Sequence, residues 1–188
     1  AHRGRPRRRL VVSARLNGRS FRLDGVDARR LSLPLAAPLV TGRGCYQQRE
    51  LVLLRVRVTV DGHARHGWGE AAPLPGWNDA DLDELATTAE RLRTGKDGVT
   101  VDTLQRDIPA LQSRPALRFG LECGVLDALC RAAAMPMAVA LAERRGVEPA
   151  RAVPVQCTLG DCDAEHAVAA LANAQQAGFT HVKLKVGA

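Results

Sequence analysis

The sequence predicts an α+β block, a three-stranded antiparallel sheet with several helices, followed by one βαβ unit that opens an α/β barrel or an open parallel sheet. Three observations predict this. An alternating apolar run turns at an Asp-Gly pair into a second β-rich run. Helical periodicity then holds from Leu82 to Arg145. From Val153 onward the order becomes strand, helix, strand.

Taken in order, "VDARRLSLPLAAPL" reads as a strand running into a proline-broken loop that continues through Val40 to Glu50. In "LVLLRVRVTV" the side chains of Val52, Leu54, Val56, Val58 and Val60 share one face, and Arg55 and Arg57 point the other way. Asp61-Gly62 supplies the two positive-φ residues of a tight hairpin, and "HARHGWGEA" is the returning strand. Asn78 to Asp81 mark a helix start. Leu82, Leu85, Ala86, Ala89 and Leu92 keep its spacing, and Gly95 closes it. A second helix is expected from Leu104 to Leu111. A third, in "RPALRFGLECGVLDALCRAAA", buries Leu117, Leu121, Val125, Leu129 and Cys130, and a fourth runs from Met137 to Arg145. After Arg151, "VPVQCTLG" is a strand, "DCDAEHAVAALANAQQAG" is a helix closed by Gly178, and "THVKLKVG" is a parallel strand. No GxGxxG or P-loop opens this unit, so a nucleotide-binding fold has no support. Two parallel strands do not bury both faces of a sheet, and the unit reads as cut off early.

The net charge of +7 raises the question of a polyanionic partner. Five arginines lie within residues 1–9, and removing them from the 27 basic residues leaves 22 against 20 acidic ones. The excess is therefore a basic arm over residues 1–9. A solvated disordered tail, a nucleic-acid contact and a targeting remnant all stay open for it. Aromatic residues make up only 3% of the chain, too few for base-stacking platforms. No stretch is long and apolar enough to span a bilayer, and the five cysteines are scattered without a CxxC pair. Reduced thiols in a cytoplasmic protein are expected, with no membrane partner and no specific nucleic acid.

Lysine occurs only at Lys96, Lys183 and Lys185 in a chain that otherwise uses arginine. In "VKLKV" a period of two puts Lys183 and Lys185 on one face and Val182, Leu184 and Val186 on the other. If helices cover the apolar face, the amines look inward, at the strand ends where barrel enzymes do their chemistry. Two neighbouring ammonium groups repel, which favours loss of a proton from one; arginine stays charged. A strand end with two solvated lysines is the plainer alternative, and the rarity of lysine elsewhere weighs against it.

The motifs "GWGEAAPLPGW", "LRFGLECGVLDAL", "VPVQCTLG" and "GFTHVKLKVG", in this order, resemble the muconate-lactonizing subgroup of the enolase superfamily, most of all its o-succinylbenzoate synthases. The resemblance covers nearly the whole chain after the basic arm. It implies an N-terminal capping domain over residues 10–151, then the first two strands and first helix of an incomplete (β/α) barrel over residues 152–188. It also implies that Lys185 is the catalytic base and Lys183 its electrostatic neighbour. The reaction implied is removal of a proton α to a carboxylate, with Mg2+ holding the enediolate, and loss of water, as in menaquinone biosynthesis. The family's metal ligands and second lysine are expected beyond residue 188, so no residue here is assigned to metal and the fragment alone is expected to be inactive. The loop Leu39 to Gln48 is expected over the site, with Thr41 and Arg43 suited to an anionic substrate. Gln156 and Thr158 share the inward face of the first barrel strand.

Other clusters carry less. His63 and His66, three apart on a strand, point to opposite sides, which disfavours a metal site. Asp161, Asp163 and Glu165 before His166 are explained by helix capping. Glu70 is expected to fix the end of the third strand. Three functions stay in play: a synthase-like dehydratase acting on a small-molecule carboxylate, an N-acylamino acid or dipeptide racemase or muconate cycloisomerase on the same scaffold, and a non-catalytic remnant or polyanion binder. A homo-oligomer is left open.

Overall fold

The computed structural model describes residues 18–75, 81–95, 97–160 and 163–185. The basic arm, Asn78, Lys96, Asp161 and Val186 lie outside the described residues. The chain divides into two compact units. One holds the chain up to Leu33 with Glu50–Pro149, and the other holds Pro34–Arg49 with the chain from Ala150.

The larger sheet has the order β1-β2-β3, with β1 at Arg22–Thr41, β2 at Gly44–Val60 and β3 at His63–Ala71, and the hairpin tip of β1 and β2 belongs to the second unit. β2 and β3 pair antiparallel from Val52↔Ala71 to Val60↔His63, and the turn between them places Asp61 at φ 50° and Gly62 at φ 75°. The predicted alternation holds: Val52, Leu54, Val56, Val58 and Val60 are buried, whereas Arg55 and Arg57 are exposed. The proline-broken loop expected after Leu33 is instead strand, because β1 continues through Pro34 and Pro38 to Thr41. An edge strand tolerates proline where the missing N–H would face away from the sheet, and β1 is an edge.

Helix α1, Leu82–Glu90, starts at Asp81, whose carboxylate accepts from the backbone N–H groups of Asp83 and Glu84. It ends before the expected Gly95. The chain is drawn back to β1 through Thr94 N to Leu23 O at 3.1 Å and Leu23 N to Thr94 Oγ1 at 3.1 Å. The single helix expected over Leu104–Leu111 is two pieces, α2 at Leu104–Asp107 and a 3-10 turn at Pro109–Leu111. Pro109 has no N–H to continue the ladder, and it forces Ile108 out of helical geometry, to φ −128° and ψ 86°.

Helix α3, Pro115–Ala132, lies on β3 and buries Leu117, Leu121, Val125, Leu129 and Cys130 as its spacing predicts. Two glycine pairs set how close it lies. A Cβ on Gly69 of β3 would meet the Gly120 carbonyl oxygen, and one on Gly67 would meet the Gly124 carbonyl oxygen. Gly120 and Gly124 are four apart, hence on one helix face. No side chain fits between the backbones there. Asp127, one turn on, accepts from Trp68 N at 3.0 Å and from Arg131 Nε at 2.9 Å, tying α3 to β3. Helix α4, Met137–Arg145, ends at Gly146 with φ 65°. Among the described residues no single helix is long and apolar enough to cross a membrane.

In the second unit β4 and β5 are parallel, with helix α5, Ala164–Gln176, as the crossover. The strands are shorter than the sequence suggests. β4 is Cys157–Leu159 and β5 is Val182–Leu184. Val153 and Val155, expected in the first strand, are exposed and unpaired within the described residues, since a strand needs a neighbour along its whole length. Asp163 caps α5: its carboxylate accepts from His166 N at 2.9 Å and meets His166 Nδ1 at 2.8 Å. These bonds, the backbone one first, hold the Asp163 carboxyl below its ordinary range. Gly178, just past the helix, has φ 87°.

Candidate active site

All six residues singled out by sequence, Thr41, Arg43, Gln156, Thr158, Lys183 and Lys185, fall in the second unit. The register of β4 and β5 is Cys157↔Val182, Thr158↔Lys183 and Leu159↔Leu184. Residues level across a parallel pair share a face. Gln156, Thr158, Lys183 and Lys185 therefore fall on one face of the pair, and Cys157, Leu159, Val182 and Leu184 on the other. Of the apolar set Leu159 is buried, as is Ala174 of α5, so the helix covers that side at β4, whereas Leu184 of β5 stays exposed. The lysine face is the uncovered one.

Lys183 is exposed and Lys185 half-buried. Lys185 is held at both ends. Its backbone N–H donates to Leu159 O at 3.2 Å, and Nζ donates to the carbonyl of Val40 at 2.6 Å. Gln156 lies just before β4 and is exposed, as is Thr158.

The expected loop Leu39 to Gln48 is a hairpin tip. β1 ends at Thr41, Gly42 and Arg43 form the turn, and β2 begins at Gly44. The Thr41 hydroxyl donates to Gly44 O at 3.2 Å and accepts from Arg43 N at 3.2 Å. A hydroxyl has one proton to give, so Thr41 in this arrangement fixes the turn and has none for a carboxylate. Arg43, beside it, is exposed.

Elsewhere, Glu70 sits opposite Leu53 in the β2–β3 ladder with an exposed side chain, and it is Asp127 that bonds to β3. Among the described residues no group of three or more His, Cys, Asp or Glu side chains could hold a metal ion. These residues do not fit a Mg2+ site. Sequence reasoning also missed the Val40 carbonyl, whose signal lay in the spacing of Pro34 and Pro38. It missed the strand–helix glycine contact too, which two glycines two apart in a strand and two more four apart in a helix announce together.

No family model matches the chain. It is 28% identical over 173 residues to an N-succinylamino acid racemase from Amycolatopsis sp, covering 88% of this chain and 45% of that one. Over 96 residues it is 29% identical to an o-succinylbenzoate synthase from Haemophilus influenzae, covering 51% of this chain and 27% of that one. To an aromatic dipeptide epimerase from Herpetosiphon aurantiacus it is 29% identical over 167 residues, 87% of this chain and 45% of that one. Among solved structures, a mandelate racemase/muconate lactonizing protein from Herpetosiphon aurantiacus superposes with a TM-score of 0.70 at 26% identity, covering 87% of this chain and 45% of the other. These relatives and structural neighbours are enolase-superfamily proteins, and the chain is similar to them. It corresponds to the N-terminal part of these proteins, and its three-stranded sheet with helices matches the capping domain of enolase-superfamily enzymes. It spans about half the length of the curated racemase and epimerase relatives it matches. An o-succinylbenzoate synthase from Thermosynechococcus elongatus BP-1, solved with Mg in its active site, superposes with a TM-score of 0.55 at 25% identity, covering 86% of this chain and 42% of that one. Synthase, racemase and epimerase relatives all match, and none of the three is singled out.

Proposed function

We propose that this chain is the capping domain and first βαβ unit of an enolase-superfamily enzyme that removes a proton α to a carboxylate, with Lys185 as the base. The supporting observation is the Lys183–Lys185 pair beside Thr158 on the uncovered face of β5, with the Lys185 amine held in place. A base works when it is fixed within hydrogen-bond reach of the proton it takes. In this reading the proton passes to Lys185 Nζ, and Lys183 adds positive charge on the same face. Arg43, Gln156 and Thr158 are the polar side chains proposed to meet a carboxylate substrate. Mg2+, which a relative carries, would supply charge stabilisation to the deprotonated carboxylate; this chain's described residues give it no ligand set.

The fate of the deprotonated substrate separates the readings. Loss of hydroxide from the neighbouring carbon makes a dehydratase of the o-succinylbenzoate synthase type, a step of menaquinone biosynthesis in the cytoplasm. Return of a proton on the opposite face makes an N-acylamino acid or dipeptide racemase, and the racemase and epimerase relatives favour that second reading equally.

The test is turnover by the protein expressed from its whole gene, with Mg2+, against the cyclohexadiene substrate of the synthases and against N-succinyl amino acids. Dehydration that Lys185→Ala abolishes and Lys185→Arg does not restore is expected. Equal or faster epimerisation would move the reading to a racemase. Full turnover by Lys185→Ala would end it. The 188-residue chain alone is expected to leave both substrates unchanged.

A further inference from the structure

Two prolines dictate which way one stretch of sheet edge faces. In an antiparallel strand a residue's N–H and C=O lie on the same side, and successive residues alternate sides. Proline, lacking an N–H, fits where that side has no partner strand. Pro34 and Pro38 lie in β1, the edge strand, and Val40 shares their parity. Thr41, of opposite parity, is the residue from which the two-residue turn leads into Gly44 of β2. The Val40 carbonyl therefore faces away from β2, an acceptor left open at the sheet edge. Lys185 Nζ fills it at 2.6 Å.

Lys183 of β5 and Lys185 just after it thus differ physically. Lys185 is anchored by its own backbone to Leu159 O and by its amine to Val40 O, both within the second unit. The Lys183 amine is exposed and makes no hydrogen bond or ion pair among the described residues, although the Lys183 main chain pairs with β4 opposite Thr158. We propose that the Val40 main-chain carbonyl is a positioning group for the Lys185 amine, so that the tip of the β1–β2 hairpin sets where that amine sits and how readily it reacts. Its bearing on proton abstraction rests on the reading of Lys185 as base; its bearing on amine reactivity does not. The hairpin then acts on the amine directly, whatever its tip does to a substrate.

The chain has only three lysines, so trace acetylation with peptide mapping reads Lys183 and Lys185 against each other in one molecule. Lys185 is expected to react about twofold to tenfold more slowly than Lys183, the factor that one hydrogen bond of ordinary net strength provides. Two variants remove the acceptor. In one, Val40–Cys45 is replaced by Asn-Gly, which closes Leu39 to Tyr46 with a two-residue turn. In the other, the amide linking Val40 to Thr41 is made an ester, which weakens the Val40 carbonyl as acceptor without altering any side chain. In both, Lys185 is expected to rise to the rate of Lys183 while Lys183 stays unchanged. Equal rates in the unaltered chain would overturn the proposal, as would a slow Lys185 that persists in the ester form; the ester form decides should the shortened hairpin fail to fold. Slow, hairpin-dependent acetylation together with full turnover by Lys185→Ala would keep the positioning contact and discard the base. The reverse pair of results would keep the base and discard the contact.

Discussion

Substituting Gly69 by alanine tests the tightest backbone approach among the described glycines. An added Cβ would stand 2.8 Å from the Gly120 carbonyl carbon and 2.9 Å from Gly124 N, and nearer still to the Gly120 oxygen. Carbon–carbon contacts are most favourable at about 3.5–4.0 Å, so the separation of α3 and β3 must grow by roughly 1 Å. All three obstructing atoms are main chain, and no side-chain rotation relieves them. A gap of roughly 0.5–1 Å forfeits a quarter to a half of each dispersion contact. The helix that must retreat carries Leu117, Leu121, Val125, Ala128 and Leu129, all at 0% exposure. Overpacking ordinarily costs about 1–3 kcal/mol, and this site belongs at or above the upper end. Gly69 does not lie in the left-handed region, so alanine would otherwise gain about 0.4–1 kcal/mol through the unfolded chain, too little to offset the clash. With a urea slope of about 2 kcal/mol per M, a loss of about 3 kcal/mol lowers the unfolding midpoint by about 1.5 M. Fluorescence of Trp68, which lies between Gly67 and Gly69, and far-ultraviolet circular dichroism report the transition. Gly42→Ala is the control, since nothing lies within 4 Å of its added Cβ. Should Gly69→Ala move the midpoint no further than Gly42→Ala, α3 does not approach β3 as described and the packing argument fails.

The remaining predictions concern thiols and one cap. At neutral pH iodoacetamide should modify exposed Cys45 well before Cys130, whose thiol, like that of Cys123, is pushed up first by burial and then by a neighbouring carboxylate; peptide mapping that finds Cys130 first would contradict this. The Asp163 carboxyl is lowered on folding, so its support of α5 is complete above the unfolded value of about 3.9 and is lost as pH falls through the lower folded value. Amide exchange in the first turn of α5 should therefore quicken, beyond its intrinsic pH dependence, across that acid window. Asp163→Ala should exchange fast at neutral pH and lose the extra acid response.

The elements with one strong local cause were legible in the sequence. The β2–β3 hairpin follows from alternation plus Asp61-Gly62, and the buried stripe of α3 follows from its period. Errors fell where a tertiary partner decided. Pro34 and Pro38 look like breakers until β1 is known to be an edge, because only an edge leaves a proline's missing donor harmless. Helix α1 stops early because Thr94 bonds to Leu23, some seventy residues away in sequence. Of the site, the shared face of Lys183 and Lys185 was legible from a period of two. The unequal tethering of the two was not, since it depends on a carbonyl that belongs to no side chain.

The same distinction explains why relatives with different reactions match this chain alike. Two of the stretches that carry the resemblance, "GWGEA" and "RFGLECGVLDAL", contain Gly67, Gly69, Gly120 and Gly124, the residues that let a helix backbone meet a strand backbone. Their chemistry is steric. Any enzyme that packs this helix on this strand needs them, whether it then expels water or returns a proton. In the proposed reading Lys183 and Lys185 bear on proton removal, the step that dehydratase and racemase readings share. Among the described residues Arg43, Gln156 and Thr158 are the candidates for touching the rest of the substrate, which bears on affinity. A racemase must also hold an acid on the opposite face of the substrate from Lys185, and a dehydratase has no such need. The decisive residue is therefore one facing Lys185 across the substrate, and exchanging Arg43, Gln156 or Thr158 should change affinity for the carboxylate far more than the choice between losing water and inverting a centre.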